Sequence, residues 1–130
     1  MISVKNITKI YGTQKALDDV SFEIGSGQVI GFLGPNGAGK STMMKIITCY
    51  IPQSSGEVSV CGFDVTEQSI EVRKIVGYLP EHNPLYPEMY VKEYLHYICG
   101  VYKFAGKKEA KIRELIDITG LAVEQNKKIG

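Results

Sequence analysis

The residues whose types and spacing could do chemistry stand in one short run, GFLGPNGAGKST, at residues 31–42. Within it, Gly34, Gly39, Lys40 and Ser41 satisfy the pattern G-x-x-x-x-G-K-[ST]. Glycines let successive backbone amides turn toward one point and leave no Cβ in the way of an anion. The lysine adds a mobile positive charge, and the hydroxyl beside it can ligate a divalent cation. These residue types fit the binding of a polyphosphate together with its metal ion.

Such a loop, the P-loop, needs a strand before its glycines and a helix after them. Residues 29–33 have no polar side chain, which is typical of a strand buried on both faces of a parallel sheet. Residues 40–48 place apolar side chains at helical spacing, so that free N–H groups and the positive end of the helix dipole would face the phosphates. Lys40 is predicted to contact the β- and γ-phosphates, Ser41 the magnesium ion and Thr42 the α-phosphate. The predicted binding residues are Gly34, Pro35, Asn36, Gly37, Ala38, Gly39, Lys40, Ser41 and Thr42.

The hydropathy pattern along the chain changes at about residue 80. Before it, strand and helix patterns alternate; after it, a proline-rich loop at 80–87 leads into helical patterns alone. Gly120 follows the second of these and is predicted to cap it. The predicted strands are 2–4, 20–24, 29–33, 56–60 and 75–79, and the predicted helices are 40–48, 66–73, 91–98 and 112–119.

The overall composition excludes several classes of protein. Fifteen Lys and Arg against fourteen Asp and Glu give a net charge of +1, so no basic field would attract nucleic acid. No apolar run is long enough to span a membrane, so direct membrane insertion is not expected. Cys49, Cys61 and Cys99 show no CxxC spacing and are predicted to be reduced thiols. His82 and His96 lack the spacing of a metal site.

The run GPNGAGKST resembles, more closely than P-loops in general, that of the ATP-binding subunits of ABC transporters. Collinear matches follow in order: IYG, ALDDVSFEI, PQSSGEVSVCGFDV, and IVGYLPEHNPLYPEMYVKEYL at the place of the family's Q-loop. The resemblance implies an α/β fold with an incomplete P-loop NTPase core, an N-terminal antiparallel β segment and the start of a helical subdomain. It assigns residues 1–80 to the nucleotide-binding core and 81–130 to the Q-loop and helical subdomain of a single truncated ABC ATPase domain.

The same resemblance implies ATP and Mg²⁺ as cofactors and adds two site residues outside the loop. Tyr11 would stack on the adenine; the alternative is an aromatic side chain that packs into the core. Glu81 occupies the Q-loop position, where the family usually has Gln and exporter-like members resemble this chain in having Glu. A carboxylate there can bind the metal but repels the γ-phosphate unless the metal lies between them. The alternative is a solvated glutamate in a loop.

The 130 residues contain no apolar strand that ends in Asp-Glu, no LSGGQ-like signature and no switch histidine. The resemblance therefore implies the N-terminal part of a longer ATPase, which binds Mg·ATP but hydrolyses it inefficiently alone. In the complete protein, two ATP-binding subunits would sandwich ATP and drive export through transmembrane subunits, on the cytoplasmic face of the membrane. Residues 84–97 would contact the transmembrane partner, although an ordinary packed loop fits them equally. Open sheet edges predict that the chain associates with itself.

Two other interpretations stay open. A different P-loop enzyme, such as a nucleotide kinase or a GTPase, would need another acidic partner for magnesium. A GTPase would also need Asn-Lys-x-Asp, whereas Asn126-Lys127-Lys128 continues with Ile-Gly. The other alternative is a self-contained, non-catalytic module that binds nucleotide or a partner protein. ATP affinity and turnover, measured together, separate binding from chemistry.

Overall fold

Eight regular elements form in the computed structural model, which describes residues 1–81, 83 and 85–130. They are β1 (Ile2–Tyr11), β2 (Gln14–Ile24), α1 (Lys40–Ile47), β3 (Ser55–Val60), β4 (Phe63–Asp64), α2 (Ser69–Ile75), α3 (Val91–Val101) and α4 (Lys108–Ile118). The chain divides into two units, Met1–Leu79 and Pro80–Gly130. His82 and Pro84 lie outside the described residues.

The first unit is built on a four-stranded antiparallel sheet in the order β2-β1-β3-β4. β1 and β2 form the predicted N-terminal hairpin, which turns at Gly12 with a φ of 57°. Both strands are irregular in the middle, where Asn6 and Asp19 each have a φ of 51°. The Asn6 side-chain amide donates to Asp19 Oδ1 at 2.8 Å. This polar pair interrupts the alternation of apolar and polar side chains. That explains why the sequence predicted only the start of β1 and the end of β2 as strands.

One apolar core joins this sheet to α1 and α2. The helix pattern of residues 40–48 is confirmed, since α1 buries Met43, Ile46 and Ile47. These side chains pack against apolar residues of the sheet, so that α1 is held at a fixed place beside the hairpin. The buried core residues of this unit are Val4, Ile7, Leu17, Met43, Ile46, Ile47, Val58, Val60, Val65 and Val72.

Two predicted strands of a parallel sheet are not formed. Residues 29–33 have no regular structure, and Val29 and Leu33 are 103% and 92% exposed. Residues 76–80 are likewise irregular, while Ile75 ends α2 instead of beginning a strand. An apolar strand of this kind is stable only between neighbouring strands and under covering helices. No strand among the described residues pairs with either segment, so the predictions for 29–33 and 75–79 were wrong here.

The start of α2 also differs from the prediction. The helix pattern suggested Thr66, but α2 begins at Ser69. The Asp64 carboxylate accepts hydrogen bonds from the N–H groups of Thr66 and Glu67, at 2.8 and 2.9 Å. Together with the bond from Gln68 N–H to Asp64 O at 3.0 Å, they close a separate turn at residues 64–68, and α2 begins after it.

The second unit contains α3 and α4, which pack through Cys99, Ile112 and Ile116. Gly120 follows α4 with a φ of 70°, which confirms the predicted cap. Backbone bonds from Ile129 N–H to Met89 O (3.0 Å) and from Gly130 N–H to Pro87 O (3.1 Å) hold the last residues against the segment before α3. No helix among the described residues is both long and apolar enough to cross a membrane.

The three cysteines are free thiols, as predicted. Cys61 is exposed, Cys99 lies in the core of the second unit and Cys49 is half-buried. Burial raises the pKa of the Cys49 thiol, although the nearby Arg73 opposes the effect. The thiol form of Cys49 is therefore favoured at neutral pH.

Candidate functional site

The N-terminus of α1 presents several hydrogen-bond donors that the protein does not use. The N–H groups of Lys40, Ser41 and Thr42 have no acceptor among the described residues, as expected in the first turn of a helix. No side chain caps this end, and the first turn contains no acidic residue. Within the described part of the chain, no side-chain cap or first-turn carboxylate neutralises the positive end of the helix dipole, which favours an anion.

The Lys40 ammonium lies over the loop that precedes the helix. Its Nζ donates to Gly34 O at 2.6 Å and to Pro35 O at 2.7 Å. Pro35 O also accepts from Ala38 N–H at 3.2 Å, which closes the loop into a turn. Both acceptors of the lysine are neutral carbonyls, whereas hydrogen bonds from an ammonium to a phosphate oxygen are stronger. A phosphate can therefore replace these carbonyls at the same ammonium.

The base of the loop is held against the hairpin at Gly39. This glycine caps α1 in the left-handed conformation, with a φ of 82°. A Cβ built there would meet Ala16 O and would come within 2.6 Å of the Leu17 side chain. Gly37 has a similar φ of 84°, but a Cβ there would meet nothing within 4 Å. The hairpin therefore fixes the base of the loop and leaves its tip open.

The predicted magnesium ligands have oxygen donors, which suit the ion. Ser41 is exposed in the first turn of α1, next to Lys40. No group of three or more His, Cys, Asp or Glu side chains forms within the described parts of the chain. Mg²⁺ usually keeps several waters and binds through few protein oxygens plus substrate phosphates, so a hydroxyl in this position fits. Glu81 is exposed in the second unit, and its joint binding of one ion with Ser41 stays a prediction.

Tyr11 ends β1 and is 48% exposed. Lys9 Nζ lies 5.2 Å from the centre of its ring and donates to Pro52 O at 2.6 Å. Tyr11 is absent from the buried core, so it does not follow the alternative in which the ring packs inside. Its ring is accessible to a ligand, while the role in adenine stacking stays a prediction.

The second unit contains an aromatic cluster that sequence reasoning did not identify. The ring centres of Tyr86, Tyr94 and Tyr97 lie 5.6–6.3 Å apart. A hydrogen bond with Tyr86 raises the pKa of Tyr97. The i,i+3 spacing of Tyr94 and Tyr97 on α3 was the available signal. The cluster lies in the segment 84–97, whose first residue, Pro84, is outside the described residues.

The fold is similar to solved ATP-binding cassettes. The ATP-binding cassette MJ0796, in a dimeric post-hydrolysis state bound to ADP and Pi, matches with a TM-score of 0.81 at 26% identity. That match covers 99% of this chain and 62% of MJ0796. A structure described as the ATP binding subunit of an ABC transporter matches with a TM-score of 0.79 at 28% identity, over 98% of this chain and 54% of its own.

Curated proteins that are similar in sequence are also named as ATP-binding proteins, and their sequence identity to this chain is higher. The probable multidrug ABC transporter ATP-binding protein YbhF of Escherichia coli (strain K12) is 36% identical over 122 residues, which are 93% of this chain and 21% of YbhF. The linearmycin resistance ATP-binding protein LnrL of Bacillus subtilis (strain 168) is 31% identical over 130 residues, 99% of this chain and 42% of LnrL. The chain therefore spans less than half the length of these two relatives.

The family model described as ABC transporter matches residues 17–130. This range begins within β2 and includes the loop, α1 and the whole second unit. The solved cassettes and the curated relatives extend the likeness over nearly the entire chain. The chain belongs to the ABC transporter family.

Proposed function

We propose that this chain binds Mg·ATP as part of the nucleotide-binding domain of an ABC transporter. The observation that carries the proposal is the position of the Lys40 ammonium, 2.6 and 2.7 Å from two loop carbonyls, beside the open N-terminus of α1. A lysine, free helix amides and a turn of small residues thus lie together within residues 34–42. A polyphosphate satisfies all of these groups at once.

Each part of the loop then has its own role. The backbone N–H groups of residues 34–39 other than Pro35, which has none, cradle the phosphates. Lys40 binds the β- and γ-phosphates, and Thr42 donates toward the α-phosphate. Ser41 holds the magnesium ion, which neutralises the charge of the β- and γ-phosphates when it is bound. Glu81 contributes from the Q-loop position, with the ion between its carboxylate and the γ-phosphate.

Binding of Mg·ATP by this chain, compared with binding of AMP, tests the proposal. We expect ATP to bind at least 10-fold more tightly (about 1.4 kcal/mol), because AMP lacks the phosphates that Lys40 and Ser41 would bind. Isothermal titration calorimetry at fixed ionic strength measures both affinities. Equal affinities for ATP and AMP would contradict a phosphate-centred site. The same samples should release little phosphate, because the 130 residues contain no Asp-Glu strand end and no signature sequence.

Tyr11→Ala should weaken ATP binding by about 5- to 150-fold, since stacking on a base is worth roughly 1–3 kcal/mol. Inorganic triphosphate has no base, so its affinity should stay unchanged in the same variant. Tyr50→Ala is the matched control, because Tyr50 is 72% exposed and follows the opposite end of α1. An equal loss for ATP and triphosphate would show that Tyr11 supports the loop and does not stack on the base.

The proposal for the complete protein is export coupled to ATP hydrolysis. The names of two relatives, a probable multidrug transporter protein and a linearmycin resistance protein, support export over import. A second ATP-binding subunit and transmembrane subunits would complete the assembly on the cytoplasmic face of the membrane. Residues 84–97, with the exposed Tyr86 and Tyr97, would contact the transmembrane subunit. Substitution of these tyrosines in the full-length protein should lower membrane-stimulated turnover, and unchanged turnover would contradict the contact.

A further inference from the structure

The side chain of Lys9 in β1 links Tyr11 to a segment that lies beyond α1. Its Nζ is 5.2 Å from the centre of the Tyr11 ring and donates a hydrogen bond to Pro52 O at 2.6 Å. An ammonium at this distance is attracted to the negative face of an aromatic ring. Lys9 and Tyr11 are two residues apart in the strand, so both side chains lie on the same side of β1. One ammonium therefore contacts both the ring and the Pro52 carbonyl.

The Pro52 carbonyl is held in place relative to α1. Just before it, the N–H groups of Tyr50 and Ile51 both donate to Lys45 O, at 2.8 and 3.3 Å. Lys45 lies in the last turn of α1, and Ile51 packs against the core of the first unit. The residues that lead to Pro52 are therefore anchored to the helix whose N-terminus follows the phosphate loop.

The residues after Pro52 are held by β1. Ser54 N–H donates to Thr8 O at 2.9 Å, and Ser54 Oγ accepts from Ile10 N–H at 3.0 Å. These two bonds flank Lys9 in sequence, so the segment 52–54 runs beside the end of β1. The Lys9 side chain therefore connects two backbone segments that other hydrogen bonds already fix, and its ammonium has a defined position.

Tyr11 itself has few other restraints. It is the last residue of β1, directly before the turn at Gly12, and its side chain is half-exposed. No other aromatic ring among the described residues packs against it. Binding that immobilises a free side chain costs conformational entropy. A ring that an ammonium holds in advance on one face avoids part of this cost, and its other face is left for a base.

We infer that Lys9 is a positioning residue for the nucleotide base, because it holds the Tyr11 ring in place relative to α1 and hence to the phosphate loop. The inference rests on the proposed function, in which the base of ATP stacks on Tyr11. Lys9 does not touch the nucleotide and acts through the ring. Its removal should therefore weaken the binding of the base and leave the binding of the phosphates unchanged.

Lys9→Met should weaken Mg·ATP binding by about 3- to 10-fold, which is part of the loss expected for Tyr11→Ala. Methionine is similar to lysine in length and has no charge. Lys9→Arg should keep the affinity of the unchanged chain, because a guanidinium also binds a ring face and a carbonyl oxygen. Inorganic triphosphate should bind all of these proteins equally. Lys5→Met is the matched control, since Lys5 is an exposed lysine of the same strand. Isothermal titration calorimetry measures each affinity.

A double-variant cycle separates this inference from the proposed function. In the Tyr11→Ala background, Lys9→Met should cause no further loss of ATP affinity, because no ring is left to position. A full additional loss there would mean that Lys9 acts without the ring, and overturns the inference. Weak ATP binding by Tyr11→Ala with unchanged binding by Lys9→Met also overturns it, while the stacking stands. If Tyr11→Ala leaves ATP affinity unchanged, the stacking and the inference are both wrong.

Circular dichroism shows whether each variant is folded. If Lys9→Met unfolds, Lys9→Gln replaces it in the same test, because glutamine has no charge to place over the ring but keeps an N–H donor for a carbonyl. Lys9→Gln should also bind ATP more weakly and triphosphate as tightly as the unchanged chain. Equal losses for ATP and triphosphate in a folded variant contradict the inference, since they would place the effect of Lys9 on the phosphate loop.

Discussion

Lys40→Ala should weaken Mg·ATP binding by about 10- to 100-fold, while the chain stays folded. Hydrogen bonds to charged groups are worth roughly 1.5–3 kcal/mol, and the variant loses those between the ammonium and the phosphates. Among the described residues, Lys40 bonds to the carbonyls of Gly34 and Pro35 alone, both of which are exposed and can turn to water. Its removal should therefore cost much more in binding than in stability.

Lys45→Ala is the matched control, because it removes the same charge from α1 one turn further on. Calorimetry should show a large loss of ATP affinity for Lys40→Ala and nearly none for Lys45→Ala. Circular dichroism should show both variants folded. Equal losses in the two variants would mean that the general charge of the helix attracts ATP, and would remove Lys40 from the site.

Gly39→Ala should lower the free energy of unfolding by roughly 2–5 kcal/mol. The left-handed conformation costs an L-residue about 1–2 kcal/mol, and overpacking adds about 1–3 kcal/mol. The new methyl group would meet Ala16 O and would approach the Leu17 side chain at 2.6 Å. Since both neighbours belong to β2, relief of the clash must move either the hairpin or the start of α1. ATP binding should fall together with stability.

Gly37→Ala separates the conformational cost of the substitution from the cost of overpacking. Gly37 has a φ of 84°, close to the 82° of Gly39, but has open space around its Cβ position. Its substitution should cost only the conformational part, about 1–2 kcal/mol. Urea unfolding followed by circular dichroism measures both variants. If they lose the same stability, the contact between Gly39 and the hairpin does not hold the base of the loop.

Much of the first unit followed from local patterns in the sequence. The helix at 40–48 and the strand at 56–60 formed within one residue of their predicted bounds, and the predicted strands 2–4 and 20–24 lie inside the longer β1 and β2. The helix patterns at 91–98 and 112–119 correspond to α3 and α4. In α1 and α4 the period of apolar residues matches the face that is buried, which is a property of neighbouring residues, whereas the predicted stripe of α3 is only half-buried. The binding residues 34–42 and Glu81 stay predictions until a ligand is measured.

The two strands that were predicted but do not form show what local sequence patterns cannot predict. Residues 29–33 and 75–79 have the composition of buried parallel strands, but such strands depend on neighbours that are distant in sequence. Among the described residues no strand pairs with them, and the same apolar side chains are exposed. The later start of α2 has a local cause, since Asp64 accepts hydrogen bonds from Thr66 and Glu67 in a separate turn before the helix.

The sequence by itself determined the family and predicted the phosphate-binding loop, because both depend on residue types at fixed spacing along the chain. The tertiary structure alone decided that β2 holds Gly39, that Lys40 bonds to its own loop, that Tyr11 stays outside the core and that residues 29–33 face solvent. These features depend on contacts between residues far apart in sequence or on side-chain direction. No local pattern encodes either, so the fold had to supply them.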